Sequence, residues 1–351
     1  MNFKTEITKI HYDKNAKGFF VNVLEFASLF YGVGSWLKNF LYDKNILKPK
    51  KVDAFVVSVG NVTTGGVGKT PVVSEIAKYF LQKGEKVAIV SRGYGGKLSN
   101  KNVNVISDGK EVFFDAKSAG DEPFWLAENT IIRHSEAKPK NPFERAVVLT
   151  CKNRYKAAKF AVENFGVTHI VLDDGFQHRK LHRDIDIVLT DSKMGFGNEK
   201  LLPAGPLREG KEAFKRIDRL VVVSKDVEHN RAEKLAKIME KRMGISTFVC
   251  RTEPDYVYNI KTGEKLDKNI DITAICAIGQ PEQFFAFLKD YNLKEKIAFD
   301  DHHAYVQNEI PQGIVITTEK DAVKMMDFER NDIYALKLKT VVDVEGLVYH
   351  G

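Results

Sequence analysis

Residues 63–70 read TTGGVGKT, and the order of these side chains suits phosphate chemistry. Gly65, Gly66 and Gly68 let backbone N–H groups face phosphate oxygens, Lys69 can reach the β and γ oxygens, and the Thr70 hydroxyl can ligate Mg2+. Thr64 and Val67 complete the nucleotide-binding stretch 64–70. The strict phosphate-loop pattern asks for glycine where this chain has Thr63, so the loop is a variant. Its context is nonetheless that of a phosphate loop. The apolar strand AFVVSVG precedes it, and a helix follows, with Pro71 in the first turn where no N–H is needed.

Acidic residues recur at positions suited to metal or proton chemistry. In HIVLDDGFQH, Asp173 and Asp174 close an apolar strand, where a carboxylate can hold Mg2+ or its water. In SAGDEPFWLA, Asp121 and Glu122 precede Pro123, and by themselves they read as helix-capping acids. PAGPLREG places Arg208 and Glu209 on a Pro/Gly-framed loop as a phosphate contact and a metal ligand, or as a solvated pair. FDDHHAY offers His302 and His303 as partners of a base, or as loop histidines.

Two nucleotide-binding alternatives fit less well. Partition-type ATPases, which act on a protein partner, carry a signature lysine where this chain has Thr64. GTPases read guanine with [NT]-K-x-D, but in TTEKD Glu319 follows Thr318 and Lys320 comes one place late.

The elements that must position these residues alternate between strand and helix. AFVVSVG, KVAIVS, AVVLT, HIVLD, IDIVLTD and RLVVVS are short apolar runs, and helical stretches separate several of them. This rhythm predicts an α/β fold with a mostly parallel sheet flanked by helices. A phosphate-loop core over residues 51–225 and a smaller C-terminal α/β domain over residues 226–351 are expected. The second domain carries the DHH and TTEKD motifs. The three cysteines are widely spaced and form no metal or disulfide framework.

Residues 1–50 form a separate N-terminal segment. The chain carries a net charge of +7, of which +5 lies in residues 1–51, with nine Lys against four Asp and Glu. The run FFVNVLEFASLFYGVGSWLKNFL at 19–41 is apolar and aromatic, with Lys38, Lys44, Lys48, Lys50 and Lys51 nearby. It suits an amphipathic helix lying in an anionic membrane surface. Packing on the core and spanning the bilayer are the other readings, and Glu25 and Asn22 inside the run count against spanning. Nucleic acid is not an expected partner, since the basic residues here include no Arg and flank an apolar run.

Taken in order, SVGNVTTGGVGKTP, SRGYGG, GDEP, VLDDGFQHRKLHRDIDIVLTD, LLPAGPLRE, DHHAY and TTEKDAVK closely resemble the tetraacyldisaccharide 4′-kinase family. These are the lipid A 4′-kinases of Gram-negative bacteria. The resemblance runs from Val56 to about Lys324, and the family loop also lacks the first glycine. It implies a P-loop NTPase-like fold and transfer of the γ-phosphate of ATP, with Mg2+, to the 4′-hydroxyl of a tetraacylated glucosamine disaccharide 1-phosphate. The enzyme would act peripherally at the cytoplasmic face of the inner membrane, late in lipid A and lipopolysaccharide biosynthesis, with no obligate protein partner.

The resemblance makes Asp121 a catalytic candidate paired with the histidine of the DH motif, here His302, which directly follows Asp301. Lys69 would act on the transferring phosphate. Thr70, Asp173, Asp174 and Glu209 become candidate Mg2+ ligands. Arg92, Glu122, Gln177, His178 and Arg208 become candidate contacts to substrate or phosphate. Closure between the two halves is expected, and deletion of residues 1–48 is expected to loosen membrane association more than ATP binding.

Overall fold

The computed structural model describes residues 3–132, 144–224, 229–278, 281–300 and 303–349. Two compact units emerge, one of residues 1–223, 231–250 and 342–351, the other of residues 224–230 and 251–341. A boundary near 220–230 therefore marks only the first of several crossings, because two later segments return to the larger unit.

The larger unit begins with α1 (Phe3–Tyr12) and α2 (Phe19–Asp43). Its α/β body then runs β1 (Phe55–Asn61), α3 (Lys69–Gln82), β2 (Val87–Ser91), β3 (Asn104–Asp108), α4 (Ala116–Ala119) and α5 (Asp121–Asn129). It continues with β4 (Val147–Thr150), α6 (Arg154–Phe165), β5 (His169–Asp173), β6 (Ile185–Asp191) and β7 (Arg219–Ser224). After α7 (Asn230–Met243) the chain enters β8 (Thr247–Asn259), whose residues from Arg251 onward lie in the smaller unit.

The sheet of the larger unit is ordered β7-β6-β1-β5-β2-β4-β3. Neighbours are parallel except β3 against β4. Every residue of β2 and β4 is buried, as expected of parallel strands covered on both faces. Alternation along β1 divides the core: Val57 and Val59 pack with Val72, Ile76 and Phe80 of α3, whereas Val56 packs with Ala157 and Ala161 of α6. Strand β1 stands where the connections diverge, toward β5 and β2 on one side and β6 and β7 on the other. In such sheets ligands bind outside the carboxyl ends of the strands at this point.

The smaller unit adds β9 (Asp271–Cys276), α8 (Pro281–Phe287), β10 (Asn292–Ala298), β11 (Val315–Thr318), α9 (Glu319–Ala322) and β12 (Ile333–Val341). The last helix, α10 (Val344–Val348), belongs to the larger unit. Strand order in the smaller unit is β10-β9-β11-β12-β8, with only β12 and β8 antiparallel. Here TTEKD does a structural job. Thr318 caps α9 by accepting from the Asp321 N–H at 3.1 Å. The buried Asp321 carboxylate accepts from the Ala277 N–H and the Thr318 hydroxyl, both at 2.9 Å, and pairs with Lys324 at 3.0 Å. The motif thus ties the end of β9 to the start of α9.

Candidate functional site

A cleft of about 790 Å³ opens in the larger unit beyond the carboxyl ends of its central strands. The phosphate loop connects β1 to α3. Gly68 takes a left-handed conformation at φ 86° and caps α3 with no side-chain acceptor, and Gly65 stands at φ 110°. Side chains other than glycine rarely adopt these angles. The first N–H groups of the 14-residue α3 therefore keep no side-chain partner at the cap, the arrangement that receives phosphate at a helix N-terminus.

Thr63 finds its physical explanation here. It is buried and forms an antiparallel bridge with Leu207. The Thr64 N–H donates to the Pro206 carbonyl and the Arg208 N–H to the Val62 carbonyl, each at 2.8 Å. A residue paired in this way needs no left-handed φ, and a β-branched side chain suits it better than glycine.

Lys69 Nζ donates to Asn61 Oδ1 at 3.2 Å and lies 3.5 Å from Asp174 Oδ1. Asp174 is left-handed at φ 54°, a conformation Asp tolerates better than most residues. Arg208 Nη1 lies 2.9 Å from both of its oxygens and 3.3 Å from Gln177 Oε1. Burial alone would raise the Asp174 pKa, but Lys69 and Arg208 outweigh it and hold the carboxyl below its ordinary value.

Its neighbour differs. Asp173 is buried, its Oδ1 has no partner, and burial, reinforced by Glu122, raises its carboxyl to about 7. Gln177 donates from Nε2 to the Asn61 carbonyl at 2.9 Å. His178 also faces the cleft with a buried, unpartnered Nε2, and burial, followed by Arg154 and Arg183, lowers its imidazole to about 4.

The cleft thus brings together Gly65, Gly66, Lys69, Arg92 and Glu122 from the first half of the unit. Asp173, Asp174, Gln177, His178 and Arg208 join them from the second. Thr64, Val67, Gly68 and Thr70 belong to the same loop and helix start without lining the cleft. Asp121 is the first residue of α5 and the cap position is Gly120, so Asp121 and Glu122 stand in the first turn, where they complement the helix dipole without capping it. Asp121 is exposed and has no hydrogen-bond or ion-pair partner among the described residues. Gly120 is required by packing: a Cβ there would meet the Tyr94 carbonyl oxygen at 2.7 Å, because SRGYGG presses against the start of α5.

Glu209 is placed differently from the metal-ligand expectation. It is buried away from the cleft lining, paired with Arg216, and 3.7 Å from Lys38. His302 lies outside the described residues. His303, in the smaller unit, is held by Glu309 at 2.9 Å and stacks on Phe299 with ring centroids 4.7 Å apart.

Arg154, Lys152 and Tyr31 also line the cleft and were not anticipated. Arg154 is buried at the start of α6, donates to the Lys152 carbonyl at 3.2 Å, and leaves Nε unpartnered. Its signal was available: CKNR follows AVVLT at the carboxyl end of a parallel strand. Five cations, Lys69, Arg92, Lys152, Arg154 and Arg208, face three carboxylates in the lining. The balance suits a polyanionic ligand.

The model of the tetraacyldisaccharide-1-P 4′-kinase family matches residues 21–348. A tetraacyldisaccharide 4′-kinase of Syntrophus aciditrophicus is 36% identical over 89% of this chain and 86% of its own. Its counterpart in Halothermothrix orenii is 34% identical over 89% and 84%. The solved structure of LpxK from Aquifex aeolicus in complex with ATP superposes with a TM-score of 0.70 at 31% identity, covering 95% of this chain and all of that one. A match of this extent, on a chain whose variant phosphate loop and acidic strand end meet in one cationic cleft, means that the chain belongs to the tetraacyldisaccharide-1-P 4′-kinase family.

Proposed function

We propose that this chain is a lipid kinase that moves the γ-phosphate of ATP to the 4′-hydroxyl of a tetraacylated glucosamine disaccharide 1-phosphate, a late step in lipid A biosynthesis. The observation that carries the reading is the convergence of Lys69, Asp174 and Arg208 beside the uncapped start of α3, inside a cationic cleft. The switch-ATPase alternative is not favoured by the family match.

In this reading the backbone of residues 64–70 cradles the phosphates and Lys69 bears on the transferring oxygens. Arg208 has two carboxylate oxygens to hold it in place, and Arg92 and Arg154 supply further positive charge toward phosphate. Asp121, exposed and unpartnered, is the proposed acceptor of the sugar hydroxyl proton. The family resemblance supplies His302 as its proposed partner.

Mg2+ fits Asp173 and Thr70 best. Asp173 is a buried acid with an orphaned oxygen, which a cation would satisfy and ionise. Asp174 already answers to Lys69 and Arg208, and Glu209, though its Oε1 is also orphaned, lies outside the cleft lining with its other oxygen on Arg216. Bound there, Mg2+ would neutralise charge on the phosphates, a metal that commonly takes one or two carboxylates and completes its shell from substrate and water.

A four-chain acceptor resides in a bilayer, and α2 supports peripheral docking at its surface. Among the described residues it is the one helix long and apolar enough to cross a membrane. Its burial argues against a core helix, since only Val21, Leu24 and Asn39 are buried while Phe19, Phe26, Phe30 and Trp36 are exposed.

The deciding assay supplies γ-labelled ATP and the disaccharide 1-phosphate in detergent micelles. Label should appear in the lipid, and Lys69→Ala should lower its rate at least about 100-fold. ATP hydrolysis indifferent to the lipid, with no label transferred, would overturn the kinase reading.

A further inference from the structure

Helix α2 carries two unlike faces. At about 100° per residue, Phe19, Phe26, Phe30, Val33 and Leu37 lie together opposite Ser28. These five are exposed, Phe19 at 85% and Phe30 at 69%. The other face is bonded to the rest of the larger unit. Ser28 Oγ accepts from the Ala204 N–H at 3.0 Å, and Lys200 pairs with Glu25. Farther along, Arg179 donates to the Asn39 carbonyl at 3.1 Å and pairs with Asp43 at 2.7 Å.

Two of these bonds end on cleft residues. The Tyr31 hydroxyl donates to the Arg208 carbonyl at 2.8 Å, and Lys38 Nζ donates to the Gln177 carbonyl at 2.7 Å. Tyr31 itself lines the cleft. Arg208 is consequently held at three points: its N–H on Val62, its carbonyl on Tyr31, and its guanidinium on Asp174. Gln177 is held likewise, its carbonyl by Lys38 and its side-chain amide by the Asn61 carbonyl. Asn61 in turn receives Lys69. One helix, with an exposed apolar face, thus braces the backbone of Arg208, whose guanidinium meets Asp174, and of Gln177, whose side chain meets Arg208 and Asn61.

We infer that α2 is part of the catalytic scaffold, and that Tyr31 and Lys38 are positioning residues that fix Arg208 and Gln177 for phosphoryl transfer. The helix therefore does more than anchor the chain, and its seating on an apolar surface and the geometry of the cleft are joined through one element. Misplacing a charged group by a fraction of an ångström is costly in a preorganised site. Losing either bond should therefore act on turnover more than on ATP affinity.

The inference rests on the kinase reading, and the test separates the two. Full-length wild type, Tyr31→Phe, Lys38→Met and Lys38→Arg are compared for label transfer to the disaccharide 1-phosphate in micelles, with sedimentation on vesicles of phosphatidylethanolamine and phosphatidylglycerol. Tyr31→Phe and Lys38→Met should each lower kcat roughly 10-fold. KM for ATP should stay within about twofold and vesicle binding should be unchanged, and Lys38→Arg should recover most of the loss. Full kcat in both variants, or losses that follow vesicle release instead of the missing bonds, would overturn the inference. Wild type that labels no lipid would overturn the kinase reading itself.

Discussion

His178 shows how strongly the cleft acts on a single side chain. Burial and the nearby guanidinium groups of Arg154 and Arg183 lower its imidazole from 6.5 to about 4. An unfolded chain would protonate it near pH 6.5, whereas the folded chain resists until about pH 4. Between those values the unfolded state binds the extra proton, so stability falls as the pH falls through this window. His178→Gln should remove on the order of 1–2 kcal/mol of that pH dependence. Urea melts at pH 7 and pH 5 check it: equal pH slopes in both proteins would assign the effect to another group. The sequence marked His178 as a contact, yet nothing in the type or spacing of the residue reveals that it is held neutral. That property comes from Arg154 and Arg183, which stand 24 positions before it and five after it in the chain.

At the scale of elements, the departure of this phosphate loop from the strict pattern is a matter of strand pairing. Thr63 bridges Leu207, so the segment that delivers Arg208 is zipped onto the start of the loop. Thr63→Gly restores the strict pattern but removes a buried β-branched side chain from an extended position. It should cost about 1–2 kcal/mol, measured by urea unfolding, with KM for ATP changed less than about twofold. Unchanged stability together with tighter ATP binding would make Thr63 a tuning residue for nucleotide. The helix starts and ends were legible in part: Asn153 caps α6 and Gly166 closes it in a left-handed conformation. The start of α5 is legible to within one residue: Asp121 and Glu122 stand in its first turn, and Gly120 takes the cap position. The long strand β8 is not legible in the sequence, since TFVCRTEPDYVYN mixes Pro, charged and apolar residues without a clean alternation.

For the molecule as a whole, charge and apolar surface coincide at the N-terminal region. Nine lysines lie within residues 1–51, and α2 exposes Phe26, Phe30 and Trp36. Replacing these three aromatics with Ser should reduce vesicle partitioning at least about 100-fold, because each buried aromatic contributes roughly 1.5–3 kcal/mol. Wild-type binding should rise with the anionic lipid fraction and weaken in high salt. Sedimentation across lipid compositions decides this, and undiminished binding by the triple variant would place the docking surface elsewhere. Removal of residues 1–48 would also take away Tyr31 and Lys38, so the truncated chain should lose turnover along with membrane binding. The expectation drawn from the sequence set membrane association against ATP binding only, and the loss of turnover adds to it. By itself the sequence determined the α/β class, the phosphate loop, the acidic strand end and the family, because each is written in short runs of neighbouring residues or in the order of such runs along the chain. Tertiary structure alone decided that Asp174 answers to Lys69 and Arg208 while Asp173 keeps a buried Oδ1 without a partner, and that Glu209 turns to Arg216. It also decided that an apolar helix far upstream braces the cleft, since such partnerships depend on which strand ends and loops folding brings together.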